Sequence, residues 1–129
     1  MKRYIRDLVV VLLPNLLLIT AAIAQNPEQV RRLLATNECA GCELSLAELS
    51  HAELSQANLE AANLKSANLM GANLEGANLT GANLEGANLV RANLTGANLE
   101  GANLKDADLC FATMSSGLST CIRDVFPLP

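Results

Sequence analysis

The chain has 129 residues, a formal net charge of −4 and no tryptophan, and aromatic residues make up only 2% of it. This length suits one domain, and the scarcity of aromatic residues argues against an ordinary core built on aromatic side chains. The negative charge argues against a surface that binds nucleic-acid phosphates, because such surfaces are basic.

The first 24 residues have the pattern of a secretory signal peptide. The positively charged start consists of Lys2, Arg3 and Arg6. An apolar stretch follows, and Ala-Ile-Ala at 22–24 fits the small-x-small cleavage pattern. The alternative is an uncleaved membrane anchor, but the stretch is short for a membrane span and Pro14 interrupts it. We therefore expect cleavage after Ala24 and no membrane segment in the mature protein. Cleavage removes three basic residues and one acidic residue, so the charge becomes −6.

A short capping α-helix is predicted directly after the cleavage site. Asn26 is a favoured N-cap residue, Pro27 suits the first helical position, and Gln29 suits the third. The apolar residues that share one face of this helix are Val30, Leu33 and Leu34. We assign residues 25–41 to an N-terminal cap, which consists of this helix over 27–36 and the turn that begins at Cys39 and leads to Cys42. The helix is expected to cover the apolar end of the segment that follows, the alternative being a helix that binds a partner.

Residues 42–116 repeat every five residues. Leu occupies one position of each unit from Leu44 to Leu109, Met114 takes the next such position, and Ala lies two residues before nearly all of them. On an α-helix, five residues advance by about 140° net, so these Leu would scatter around the axis. On a flat strand, an odd period would place alternate Leu on opposite faces. A chain that turns a corner every five residues points every Leu inward, and the period therefore predicts a coiled solenoid.

The run Ala-Asn-Leu-Glu-Gly, Ala-Asn-Leu-Thr-Gly, Ala-Asn-Leu-Glu-Gly at 72–86 resembles the pentapeptide-repeat proteins. The resemblance covers 42–116, which is fifteen units without a slip. It implies an all-β solenoid, a right-handed quadrilateral β-helix in which four units make one coil and residues twenty apart stack. Just under four coils would be roughly 18 Å long. The lead into the repeat, at 33–36 and the cysteine pair, is similar to secreted members of cyanobacteria and chloroplast thylakoid lumens, which implies the thylakoid lumen or the periplasm.

All four cysteines lie after the predicted cleavage site, in a part of the chain for which export would permit disulfides. In the stacking that the resemblance implies, Cys42 lies in the first coil and Cys110 in the fourth. They would be about 14 Å apart along the axis, beyond the roughly 7 Å limit between the Cα atoms of a bridged pair. We therefore expect Cys39–Cys42 and Cys110–Cys121 disulfides, the second of which would hold the C-terminal cap, residues 117–129, against the last coil.

The Cys39-Ala40-Gly41-Cys42 motif also permits chemical interpretations. A thiol–disulfide exchanger places this motif at a helix N-terminus, whereas here it follows a predicted helix. Attachment of c-type haem requires His in place of Glu43. Zinc requires two more ligands nearby, and the single histidine, His51, falls on the predicted exterior. With no nucleophile–base set, carboxylate pair or phosphate loop in the sequence, we expect no metal, no cofactor and no catalytic residue.

The outer sides of the predicted coil differ in chemistry. On the first side, Lys65, Glu85 and Lys105 stack with alternating charge. The second side of the coil is called side two. It is formed by units 47–51, 67–71, 87–91 and 107–111. Its outward positions include Met70, Val90, Arg91 and Phe111, which we define as the candidate face. Apolar residues exposed in a row indicate a contact surface, and two occupants remain open: a protein partner, or the chain's own C-terminal tail.

The leading expectation is a non-enzymatic protein-interaction or scaffold module, a monomer that binds a protein partner and no nucleic acid. Two alternatives remain. The resemblance implies a DNA-mimicking protein that binds DNA gyrase, and export and the shortness of the rod argue against it. The cysteine motif would permit a thiol–disulfide exchanger that uses Cys39 and Cys42.

Cleavage after Ala24 is tested by measuring the intact mass of the protein purified from its native compartment. We expect a mature chain that begins at Gln25. A mass that retains the first 24 residues would contradict cleavage and would support the membrane anchor.

Overall fold

A computed structural model gives the fold, and the structure describes residues 26–117. The predicted signal peptide and the C-terminal cap from residue 118 onward lie outside these residues. In the described part of the chain, the helix is α1 (Pro27–Thr36) and the strands are β1 (Asn93–Leu94) and β2 (Thr113–Met114). β1 and β2 pair in parallel, and most other strand contacts are single bridges between the corners of the coil.

α1 is delimited by local hydrogen bonds. The Asn26 side chain accepts a bond from the Gln29 N–H at 3.4 Å, and Pro27 occupies the first turn, where a missing N–H costs nothing. The helix ends at Asn37, which has a left-handed φ of 57° and donates its N–H to the Leu33 carbonyl at 2.8 Å. The helix therefore stops where the chain must turn into the first coil.

One narrow side of α1 packs on the solenoid. Leu33 is fully buried in the core, and Val30 packs beside it. Leu34 was predicted on the same face, but its side chain is 52% exposed. It follows Leu33 directly, and successive helical residues are 100° apart, so both cannot enter so narrow a contact.

Parallel pairing links residues twenty apart, from Glu38 with Asn58 to Asn88 with Asp108, and continues through β1 and β2. The backbone bonds repeat on every side of the coil. For example, the Leu44 N–H donates to the Asn63 carbonyl and the Asn63 N–H donates to the Cys42 carbonyl, both at 2.8 Å. The predicted twenty-residue register is thus confirmed. We call residues 42–61, 62–81, 82–101 and 102–116 coils one to four.

The paired region begins earlier than the sequence boundary at residue 42. Glu38 already pairs with Asn58, and the Cys39 N–H donates to the Asn58 carbonyl at 2.8 Å. Cys39 is fully buried and lies twenty residues before Leu59, so it fills the inward position that Leu fills elsewhere. The unit 37–41 is therefore structurally the first unit of the solenoid, although it lacks the repeat's Leu.

Each corner is a tight turn with one left-handed residue. At the first corner of coil one, the Ala47 N–H donates to the Leu44 carbonyl at 3.1 Å, and Leu46 has a φ of 59°. A positive φ at only the third residue of a four-residue turn defines type II. The same conformation recurs every five residues from Gly41 to Phe111. At Gly76 an added Cβ would lie 2.0 Å from the Gln56 amide nitrogen, so the Gln56 side chain would have to move.

The interior is packed with Leu and Ala. The inward Leu residues from Leu44 to Leu94 are at most 2% exposed, and no polar or charged side chain is buried among residues 26–117. At the C-terminal end, Leu99, Leu109 and Met114 are only partly buried. The polar and charged side chains of residues 26–117 therefore lie on the outer sides.

We predict that Leu84→Asp unfolds the solenoid, because Leu84 is fully buried in coil three. The change loses about 1.5–3 kcal/mol of apolar burial and adds the larger cost of burying a carboxylate. Leu84→Ala should instead lower the free energy of unfolding by about 2–5 kcal/mol. Urea denaturation followed by circular dichroism measures both, with Lys105→Asp on the exterior as control. A Leu84→Asp variant that melts like wild type would show that Leu84 does not point inward.

Candidate functional site

The candidate face forms a continuous strip along side two. Twenty-residue stacking brings Met70 and Val90 together, since the Gly71 N–H donates to the Val90 carbonyl at 2.8 Å. One coil further on, the Arg91 N–H donates to the Cys110 carbonyl at 2.9 Å. Phe111 is 54% exposed and Met70 is 37% exposed, while Val90 is half-buried and Arg91 is exposed. The structure therefore brings all four predicted residues to one outer side.

Cys110 lies in this strip, next to Phe111 and one coil above Val90. It is disulfide-bonded in the structure. Its expected partner, Cys121, lies outside the described residues, as does the tail that would cover the strip. Cover by the tail therefore stays a prediction.

His51 lies on side two in coil one. Its imidazole lies over the corner of coil two, where a Cβ added to Gly71 would be 2.6 Å from His51 Nδ1. His51 is exposed, and residues 26–117 contain no group of three or more His, Cys, Asp or Glu placed to hold a metal ion. The arrangement here is a surface side chain packed on a glycine corner.

The charged stack on the first side contains one ion pair. Lys65 Nζ lies 3.2 Å from Glu85 Oε1, and both side chains are partly exposed. The hydrogen bond from Lys65 and then its charge lower the pKa of the Glu85 carboxyl, while burial opposes this shift and Lys105 adds a smaller lowering. Such exposed pairs contribute little to stability, so this side supports the register without making a binding site.

The sequence reading missed a set of side-chain ladders along the outside of the coil. The Asn63 side chain donates to Glu43 Oε2 at 2.8 Å, and the Asn83 side chain donates to Asn63 Oδ1 at 3.3 Å. Each Oδ1 also accepts the backbone N–H two residues ahead, as Asn63 does from Lys65. Four glutamates accept from the asparagines twenty residues later: Glu38, Glu43, Glu48 and Glu53. The available signal was Glu in the position that Asn occupies in later units.

These glutamates are occupied as hydrogen-bond acceptors. Glu48 accepts the Ser50 N–H at 3.3 Å, and both its carboxylate oxygens accept from the Asn68 amide, at 2.7 and 3.0 Å. Hydrogen bonds from Ser50 and then Asn68 lower the pKa of Glu48. The four glutamates at the start of the solenoid therefore serve as the terminal hydrogen-bond acceptors of the asparagine ladders.

The cysteine motif is buried. Cys39 and Cys42 are joined as a disulfide in the structure, with their Cα atoms 5.2 Å apart. Cys39 is 0% exposed and Cys42 is 5% exposed. Their sulfur atoms face the core and not a surface cleft. Separately, none of the helical structure in residues 26–117 has the length and apolar character that a membrane span requires.

These observations define a β-solenoid of five-residue units in twenty-residue coils, with an apolar interior and its polar chemistry outside. The sequence profile of the family described as pentapeptide repeats matches residues 42–81 and 72–110, in eight copies. Because these matches cover more than half of the sequence, the chain belongs to the pentapeptide-repeat family. Members of this family form right-handed quasi-quadrilateral β-helices, so the predicted family and solenoid fold are confirmed.

Three solved structures illustrate the relationship. A pentapeptide repeat protein from the Arabidopsis thaliana thylakoid lumen is 37% identical, with a TM-score of 0.59, over 60% of this chain and 55% of that one. HetL, a protein of heterocyst differentiation regulation from the cyanobacterium Nostoc, is 44% identical over 64% of this chain and 40% of that one, with a TM-score of 0.46. QnrB1, a plasmid-mediated fluoroquinolone resistance protein, is 18% identical over 60% and 45%, with a TM-score of 0.35.

Only the lumenal protein is similar enough to support an argument, since the other two TM-scores are below 0.5. The matched part of each solved protein is about half of its length, 55% for the lumenal protein and 40% for HetL. No curated protein matches the chain. A thylakoid-lumen relative of this chain is thus established.

The Glu85 ion pair predicts a measurable dependence of stability on pH. Because the folded-state pKa of Glu85 is lowered from its ordinary value of 4.5, the pair stabilises the fold above that pH. The contribution disappears as the pH falls through the lower, folded-state pKa. The melting temperature of wild type should therefore exceed that of Glu85→Gln near neutral pH, and the small difference should vanish in acid below the folded-state pKa.

Thermal melts across this range measure the effect, with Lys65→Met as the matched control. In the Lys65→Met background, Glu85→Gln should have a reduced, less pH-dependent effect. An equal effect of Glu85→Gln with and without Lys65 would show that the pair does not cause the pKa shift.

Proposed function

We propose that the chain is a non-enzymatic protein-interaction or scaffold module of the thylakoid lumen or the periplasm, and that the candidate face contacts its partner. One observation carries the proposal. The interior is filled with apolar side chains and no polar side chain is buried among residues 26–117, whereas Met70 and Phe111 are exposed together on one outer side. An exposed apolar row beside a cation is typical of protein contact surfaces, where Met, aromatic residues and Arg are enriched.

The proposed location rests on two supports. One is the 37% identity to a thylakoid-lumen protein of the same fold. The other is the secretory pattern of the first 24 residues, which lies outside the described part of the chain. An exported protein also meets conditions in which disulfides persist.

The size of the face sets the kind of contact. Coils two to four span about 10 Å along the axis, from the position of Met70 to that of Phe111. A stable interface buries about 800 Å² on each partner, and the exposed parts of three apolar side chains supply only a fraction of this. The candidate face therefore suits the apolar centre of a contact whose polar surroundings come from neighbouring sides, or a transient contact.

The alternative functions receive less support. Repeated turnover by a thiol–disulfide exchanger needs a sulfur that stays accessible to its substrates, whereas Cys39 and Cys42 are both buried in the folded protein. Binding to DNA gyrase rests on the family resemblance alone. A supercoiling assay with the purified protein tests that alternative directly, since inhibition would favour it.

The candidate face is tested by site-specific photocrosslinking in the native organism. A photoreactive phenylalanine derivative in place of Val90 should give a discrete crosslinked protein, which mass spectrometry identifies. The same derivative in place of Thr95, exposed on the next side of the same coil, is the matched control and should give none.

Met70→Glu together with Val90→Glu should abolish binding of the identified protein, because two carboxylates then replace the apolar centre of the face. Their melting temperature should stay close to that of wild type, since both positions point outward. Unchanged binding by this folded double variant would contradict the proposal, and loss of folding would instead favour cover by the chain's own tail.

A further inference from the structure

The Cys39–Cys42 disulfide lies where the N-terminal helix meets the solenoid. Both cysteines occupy inward positions, Cys39 in the place of the repeat's Leu and Cys42 in the place of its Ala. Between them, Ala40 and Gly41 form the first corner, closed by a bond from the Cys42 N–H to the Cys39 carbonyl at 3.2 Å. The disulfide thus crosses a corner inside the core, where other units have only packed Leu and Ala.

α1 rests directly on this corner through Gln29. The Gln29 carbonyl oxygen lies 3.5 Å from Cys39 Sγ, and the Gln29 side-chain oxygen accepts the Glu43 N–H. Gln29 therefore contacts the disulfide itself and the residue that directly follows it. The other strong anchor of the helix is Leu33, its one fully buried residue.

Packing explains why this contact depends on the bond. Two non-bonded sulfur atoms must lie farther apart than two bonded ones, so reduction requires extra volume where Cys39 has no exposed surface at all. Overfilling a packed site forces its neighbours to move. α1 is the neighbour held least firmly, because it has ten residues and one fully buried side chain. Isolated helices of that length are marginal in water.

The coils beyond the corner lack this dependence. In coils two and three, the inward positions hold Leu and Ala, and each coil is hydrogen-bonded to the next through its backbone and its asparagine ladders. We propose that the Cys39–Cys42 disulfide is a redox-sensitive latch for the N-terminal helix. Reduction to two thiols releases α1 from coil one, and coils two and three stay folded. This inference is independent of the function proposed for the candidate face.

The reaction needs a dithiol reductant. Because Cys39 and Cys42 are buried, the reductant reaches a sulfur only when the N-terminal corner opens locally. Its thiolate then forms a mixed disulfide with one cysteine and releases the other as a thiolate; its second thiol closes the reductant's own disulfide, so that two protein thiols form. Release of α1 would then expose the first inward layer of coil one, which begins with Leu44, to solvent or to a partner. The latch would in that way make a second apolar surface available at the N-terminal end.

Hydrogen exchange read by mass spectrometry tests the latch on the full chain, with dithiothreitol as the reductant. The background is Cys110→Ser with Cys121→Ser, so that Cys39–Cys42 is the only disulfide that can be reduced. We expect amide protection in 27–36 to fall by roughly tenfold or more on reduction, the order expected when a packed site is overfilled. Protection in coils two and three should stay within about twofold, because their stacking is not affected.

The matched control is Cys39→Leu with Cys42→Ala in the same background, since it gives the first unit the residues of the other units. Its helix should keep the same protection with and without dithiothreitol. Three results would each overturn the latch. In the first, thiol alkylation shows that the disulfide is reduced, yet the amide protection of 27–36 is unchanged. In the second, coils two and three lose as much protection as 27–36, and in the third, the folded protein cannot be reduced at all.

Discussion

Every other feature of this protein depends on a left-handed backbone conformation at each fifth residue. That conformation closes a type II turn, as at Leu46, and sends the next five residues along a new side. After four such turns the chain lies above its own start, and parallel backbone hydrogen bonds join residues twenty apart. The apolar interior follows from this geometry, because one Leu and one Ala per unit face the axis.

A uniform interior leaves the outer sides as the place where units can differ. Outward positions away from the left-handed corners can change without disturbing the packing of the core, since the inward residues alone fill it. Side two has an apolar strip at these positions, whereas the first side has an ion pair. A solenoid of this kind presents separate chemical surfaces in fixed positions relative to one another, which is what a scaffold requires.

The sequence predicted the features that depend on period and failed on those that depend on neighbours in space. The five-residue period placed Leu inward, and the position of Met70 relative to Val90 followed from the twenty-residue register. Leu34 was predicted to pack because helical spacing does not show how narrow the contact of α1 is. The start of pairing at Glu38 was missed because Cys39 replaces the Leu that marks a unit. The ladder from Asn63 to Glu43 was missed because it joins side chains only after folding.

The two periods of the chain, five residues for the corners and twenty for the stacks, also determine how its length can vary. Adding twenty residues within the solenoid inserts one coil and leaves every later side chain on its original side. Adding only five also preserves the inward Leu and Ala, yet it moves every later outward residue by a quarter turn. Val90 would then no longer lie above Met70. The core therefore tolerates changes of length that the surface does not, and selection for a binding surface would favour gain or loss of whole coils.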